Sequence, residues 1–297
     1  MAFTMKRCVN EHENILENNE KKQKDPQYLL RVDEVPNYLQ FNRFVLDGYR
    51  PQMTFWECLR SLTYLHNETI NVLSHGIPLI YAVWKVPELL PQQFNEMPIL
   101  PYLHIAAIIA PWLGSSVYHL FMNHISGFKT YSRLLQWDVV GVWVTQSCGG
   151  LTTIYTGVSC LPYILQLVFL GIYVCFCLRA LQVAVFACGP WQRRQSFAIL
   201  FLIRMVVLIL RMTPYGGGHP EAIYHVIMQD LLSLIGAVIS AVRIPERWLP
   251  GRFDYIFNSH NIMHVIVVIG AVHMHWAVEK DIGWMIKRVE QRSLNGH

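Results

Sequence analysis

The chain has 297 residues, 53% of them hydrophobic and 15% charged, with a mean hydropathy of +0.28. That is too apolar for an ordinary soluble domain and fits a multi-span membrane protein. The net charge of +4 informs through its distribution, and the seven cysteines, odd in number and without paired spacing, argue against a complete disulfide framework and offer no CxxC metal motif.

Residues 1–37 are rich in Asn, Glu, Lys and Gln, hold too few apolar residues for a core, and are expected to be a disordered cytoplasmic tail. This polar start does not have the form of a cleavable signal peptide. Residues 38–68 interleave Phe41, Phe44, Phe55 and Trp56 with Arg43, Arg50 and Arg60, as in a segment lying on the membrane surface. A soluble cap helix is the alternative. Seven apolar spans follow, at 69–86, 99–121, 137–156, 160–182, 196–213, 221–243 and 259–278. Asn71, Ser74, His75 and Pro78 interrupt the first. Pro214-Tyr215-Gly216-Gly217-Gly218-His219-Pro220 separates the fifth from the sixth, and a loop with Pro245, Pro250 and Gly251 precedes the seventh. Residues 279–297 are left as a short C-terminal tail. The expected fold is all-α, a seven-transmembrane helix bundle over residues 69–278.

Lys and Arg set the expected orientation. A cytoplasmic N-terminus places the tail lysines, Arg43, Arg50, Arg60, Lys129, Arg133, Arg179, Arg193, Arg194, Arg243, Arg247 and Arg252 inside. Lys85, Arg211, Lys280, Lys287, Arg288 and Arg292 stand opposite, so the balance favours N-terminus in and C-terminus out.

Polar residues inside spans are costly and mark candidate sites. His260 and His264, four apart at the start of the seventh span, lie on one helix face and can bind one metal ion. Taken alone, the pair fits two interfacial histidines equally well. Ser115 and His119 share a face at the cytoplasmic end of the second span, and Asp138 lies near the cytoplasmic start of the third. Four metal-competent groups, His119, Asp138, His260 and His264, therefore meet at one membrane depth.

Three histidines with a carboxylate suit Zn2+, with a fourth position left for water. A zinc-bound water can ionise near neutral pH and attack a carbonyl. Asp138 would hold that water as general base, and Ser115 would donate to the developing oxyanion or orient His119. A closed zinc site that only ties helices together is the rival. Glu68, Asn71 and His75 recur at three and four on the first span and are expected to support the site or pack helices rather than ligate. Arg204 can reach Asp230 across two spans, with snorkelling of Arg204 as the alternative, while His273 and His275 are expected to be interfacial. Asn67-Glu68-Thr69 is formally a glycosylation sequon, discounted because it falls on the cytoplasmic side.

Gly48-Tyr49-Arg50-Pro51, His66-Asn67-Glu68-Thr69, Ser74-His75, Ser115 to His119, Asp138, Arg243-Ile244-Pro245-Glu246-Arg247 and Ser259-His260-Asn261-Ile262-Met263-His264 together resemble the progestin and adipoQ receptor (PAQR) family over residues 38–278. Phe41 to Leu46 and Cys58 to Leu62 look most like its fourth member. The resemblance implies a seven-helix bundle with a buried zinc held by His119, His260 and His264, with Asp138 reaching it through water and Ser115 nearby. It also implies ceramidase-like chemistry, since adiponectin receptors of that family are linked to hydrolysis of ceramide.

The expected function is a zinc-dependent amide-lipid hydrolase of the plasma membrane or Golgi/ER. The alternatives are a seven-helix receptor with structural zinc and a scaffold for other membrane proteins. Expected partners are ceramide or a related membrane lipid, an extracellular or lipid ligand, and a second copy; Gly141, Gly149 and Gly150 permit close helix contact either within the bundle or between protomers. No nucleic acid is expected.

Overall fold

The computed structural model describes residues 28–89, 99–187 and 189–295. Its named helices are α1 (Phe55–Arg60), α2 (Thr69–Leu89), α3 (Ile99–Phe121), α4 (Phe128–Val144), α5 (Gly150–Val158), α6 (Tyr163–Val185), α7 (Pro190–Arg211), α8 (Ala222–Val242) and α9 (Ser259–Asn295). Each expected span falls on a long helical stretch. By length and composition, α3, α6, α8 and the Ser259–Gln291 part of α9 are apolar enough to cross a membrane. Arginines 193, 194, 204 and 211 dilute α7, and polar residues dilute α2.

The third expected span begins earlier, at Phe128, and is not one α-helix: a π turn, Thr145–Gly149, joins α4 to α5. Its neighbours repair the altered backbone. Pro111 lies inside α3 and has no N–H for the carbonyl of Ala107. Thr145 Oγ1 donates to that carbonyl at 2.8 Å. Tyr173 Oη donates to Gln146 O at 2.6 Å.

Helices α3 and α4 approach at backbone distance. A Cβ on Gly114 would stand 2.7 Å from Trp137 O, and one on Gly141 would stand 2.6 Å from Ala110 O. Gly149 and Gly150 instead make room for side chains, those of Met274 and Tyr173. These glycines pack within the bundle.

Buried ion pairs join the later helices. Arg204 Nε and Nη2 both donate to Asp230 Oδ1, at 3.0 and 2.7 Å. Arg211 meets Asp281 fork to fork at 2.7 Å on both oxygens. His273 and His275 each meet a second histidine: His273 Nδ1 lies 2.9 Å from His225 Nδ1, and His275 Nδ1 lies 3.0 Å from His104 Nε2.

Three expectations are corrected at the ends. The described part of the 1–37 tail is packed, because Leu30 and Val35 are buried against Leu39, Tyr49, Tyr118 and Tyr131; residues 1–27 lie outside the described residues. The expected C-terminal tail is helical through Asn295, and Asp281, Ile282 and Met285 are buried. Residues 38–68 form a cap on the bundle rather than a free surface segment. Asp254 accepts from the amides of Leu46 and Asp47, and Glu246 accepts from Asn42. Arg50, expected at the membrane surface, is 1% exposed. Its guanidinium donates to His119 O at 2.6 Å, Leu120 O at 3.0 Å and Ser61 Oγ at 2.9 Å, satisfying carbonyls that the end of α3 leaves without helical partners.

Candidate metal centre

Three helices meet beneath this cap. The N-terminus of α9 is anchored by Glu246, which accepts from Ser259 N at 2.7 Å, and by Asn258 Oδ1, which accepts from His260 N and Asn261 N at 3.1 and 3.0 Å. One helical turn then sets His260 and His264 on the same face. His119 enters from the last turn of α3, whose end Arg50 holds. One nitrogen from each of His119, His260 and His264 lies within 4.8 Å of the others. His260 Nε2 is 3.3 Å from His119 Nε2 and 3.2 Å from His264 Nε2.

The surrounding hydrogen bonds fix the tautomers. Glu68 Oε2 lies 2.7 Å from His119 Nδ1, and a carboxylate only accepts, so Nδ1 carries the proton and Nε2 a lone pair. Ser74 Oγ donates to Asn71 O at 3.2 Å, leaving it to accept from His264 Nδ1 at 3.0 Å. His264 Nε2 then also presents a lone pair. His260 Nε2 faces both and has at most one proton to share. A cation at the convergence point satisfies all three, and neutral imidazoles with their other nitrogens held by oxygen are the usual dress of a metal site. The donor set fits zinc.

A second layer holds this arrangement. Asn71 Nδ2 donates to Glu68 Oε2 and Asn261 Nδ2 donates to Asn71 Oδ1, both at 2.7 Å. His75 stacks on His264 with centroids 3.8 Å apart, and its Nδ1 is 2.7 Å from Ser115 Oγ. Buried His75 Nε2 has no hydrogen-bond partner among the described residues.

The chain matches the family described as haemolysin-III related over residues 63–276. It is 38% identical over 250 residues to human "Progestin and adipoQ receptor family member 4", covering 84% of this chain and 91% of the relative. The mouse protein of the same name is 37% identical over the same shares. "ADIPOR-like receptor IZH1" of Eremothecium gossypii is 28% identical, with 82% of this chain and 81% of the relative covered. The chain belongs to the haemolysin-III related family, among its progestin and adipoQ receptor members.

As a member of this family the chain is an integral membrane protein. The haemolysin-III match ends two residues short of Val278, inside α9. Of the residues singled out in the sequence, His119, His260 and His264 come together, and Glu68, Asn71 and His75 line up behind them. Asp138 and Ser115 lie outside the three-nitrogen group. Asp138 lies on the stretch of α4 that packs against Gly114. Sequence reasoning missed the duties of Arg50, Ser74, Glu246, Asn258 and Asn261. Arg50, Ser74, Glu246 and Asn261 stood in the family motifs, but nothing local indicated what they bind. Asn67 of the formal sequon is 5% exposed and closed to a glycan.

Proposed function

We propose that this protein is a seven-span membrane hydrolase, N-terminus cytoplasmic, that uses zinc on His119, His260 and His264 to cleave the amide of ceramide or a related lipid. The observation that carries the reading is the convergence of His119 Nε2 and His264 Nε2 on His260 Nε2, at 3.3 and 3.2 Å. Zinc on these ligands supplies a Lewis acid and acidifies water near neutral pH. Glu68 and Ser74 keep His119 and His264 in the ligating tautomer. Asp138 takes a proton from the attacking water and returns it to the departing nitrogen as the C–N bond breaks and the C–O bond forms. Ser115, oriented by His75, donates to the carbonyl oxygen as it gains charge.

One observation favours the alternative, a receptor with a structural zinc. The cavity beside His260, lined in part by Glu68 and Asn258, has a volume of about 20 Å³. It has room for a water but not for an acyl amide. Under the hydrolase reading the substrate amide does not sit in this cavity.

The test is sphingosine release from ceramide by purified protein in lipid, for wild type, Asp138→Ala and His260→Ala, with zinc assayed in each. Hydrolysis predicts that Asp138→Ala keeps zinc and loses turnover while His260→Ala loses both. Full zinc with no release from any ceramide supports the receptor, and absence of zinc from the wild type overturns both readings.

A further inference from the structure

The end of the bundle remote from the histidines carries a cleft of about 680 Å³. One wall is a face of α9 with Lys280, Gly283, Trp284, Lys287 and Arg288 at three- and four-residue spacing, and the other wall includes Glu221. Trp284 stands 24 residues beyond His260, about 36 Å along an α-helix. A hydrocarbon core is about 30 Å thick, so the cleft lies at the opposite headgroup layer.

The walls are held rather than loose. Asp281, behind the cleft, binds Arg211 and accepts from the backbone N–H of His219 at 3.0 Å, tying the loop before α8 to α9. Arg288 Nη1 donates to Cys160 Sγ at 2.6 Å, and its guanidinium lies 5.1 Å from the Trp284 ring centroid. Lys280 Nζ donates to Glu221 Oε2 at 2.7 Å, and that pair offsets its own charges. Among the described residues lining the cleft, Lys287 and Arg288 then stand against one further carboxylate, Glu279. Gly283 leaves the floor open, since a Cβ there would meet nothing within 4 Å.

We propose that this cleft binds the headgroup of an anionic phospholipid in the leaflet opposite the histidine centre. Lys287 and Arg288 receive the phosphate, and Trp284 packs against the glycerol and upper acyl chain, where amphipathic rings are favoured. Two cations facing one carboxylate select negative charge. The depth of the site selects a lipid over free phosphate. The proposal does not depend on zinc or on hydrolysis.

The full-length protein is reconstituted in nanodiscs of phosphatidylcholine, alone or mixed equally with phosphatidylglycerol. Thermal stability and lipid retained on transfer to detergent are measured. Phosphatidylglycerol is expected to raise Tm and to be retained selectively. The double variant Lys287→Gln/Arg288→Gln is expected to lower its affinity about thirtyfold, each cation contributing comparably. Gly283→Trp, which fills the cleft and leaves both cations, is expected to abolish retention, whereas Gly283→Ala preserves it. Equal Tm and retention in both lipids, or undiminished retention by Gly283→Trp, overturns the proposal. A Tm rise reproduced by inorganic phosphate in phosphatidylcholine discs assigns the site to a soluble anion and also overturns it.

Discussion

Glu68 Oε2 accepts from His119 Nδ1 and from Asn71 Nδ2, each at 2.7 Å, with both Glu68 and His119 almost fully buried. One carboxylate oxygen thus sets the histidine tautomer and anchors the Asn71 to Asn261 link between α2 and α9. Glu68→Gln can still offer one oxygen to both donors, but it removes the negative charge that strengthens His119 as a ligand. Zinc affinity is expected to fall about 10- to 100-fold with the fold retained, as read by chelator competition.

Arg50 holds the end of α3 from which His119 projects. Arg50→Lys replaces a planar fork by a single ammonium that cannot reach Ser61 Oγ and two carbonyls together. A loss of about 2 kcal/mol is expected, seen as a lower Tm in lipid, together with weaker zinc retention.

The Arg204 and Asp230 pair is buried between α7 and α8. Removing one partner leaves an uncompensated charge, so Asp230→Ala is expected to cost about 3–5 kcal/mol. The double change Arg204→Met/Asp230→Leu is expected to recover most of that loss. A double-mutant cycle on thermal unfolding checks it, and additive losses would show that the two side chains do not act as a pair.

At Gly114 the added methyl of alanine would press on the Trp137 carbonyl and force α3 from α4. Gly114→Ala is expected to destabilise by about 1–3 kcal/mol, whereas Ala at Gly171, where nothing lies within 4 Å, is expected to leave Tm unchanged or slightly raised.

His75→Phe retains a ring to stack on His264 and removes the hydrogen bond to Ser115. Under the proposed hydrolysis, kcat is expected to fall about 10- to 100-fold with zinc content unchanged. Steady-state turnover beside a zinc assay separates this outcome from loss of the metal.

By itself the sequence determined what is local to one helix. Apolar run lengths placed the helices, and the four-residue spacing of His260 and His264 put two ligands on one face, because helical period is a property of a single chain segment. Which groups meet across helices depends on rotation, depth and separation, and only the tertiary structure decided those. It brought Glu68 to His119, Ser74 to His264 and Arg211 to Asp281. It buried Arg50, whose charge alone had suggested the membrane surface, because the end of α3 left carbonyls needing a donor. Arg204 with Asp230 was the cross-helix pair that sequence could propose, since two opposite charges inside apolar spans have few other partners. Arg211 with Asp281 escaped it because Arg211 stands at the very end of the fifth expected span and Asp281 beyond the seventh, where a charge needs no partner until packing buries it.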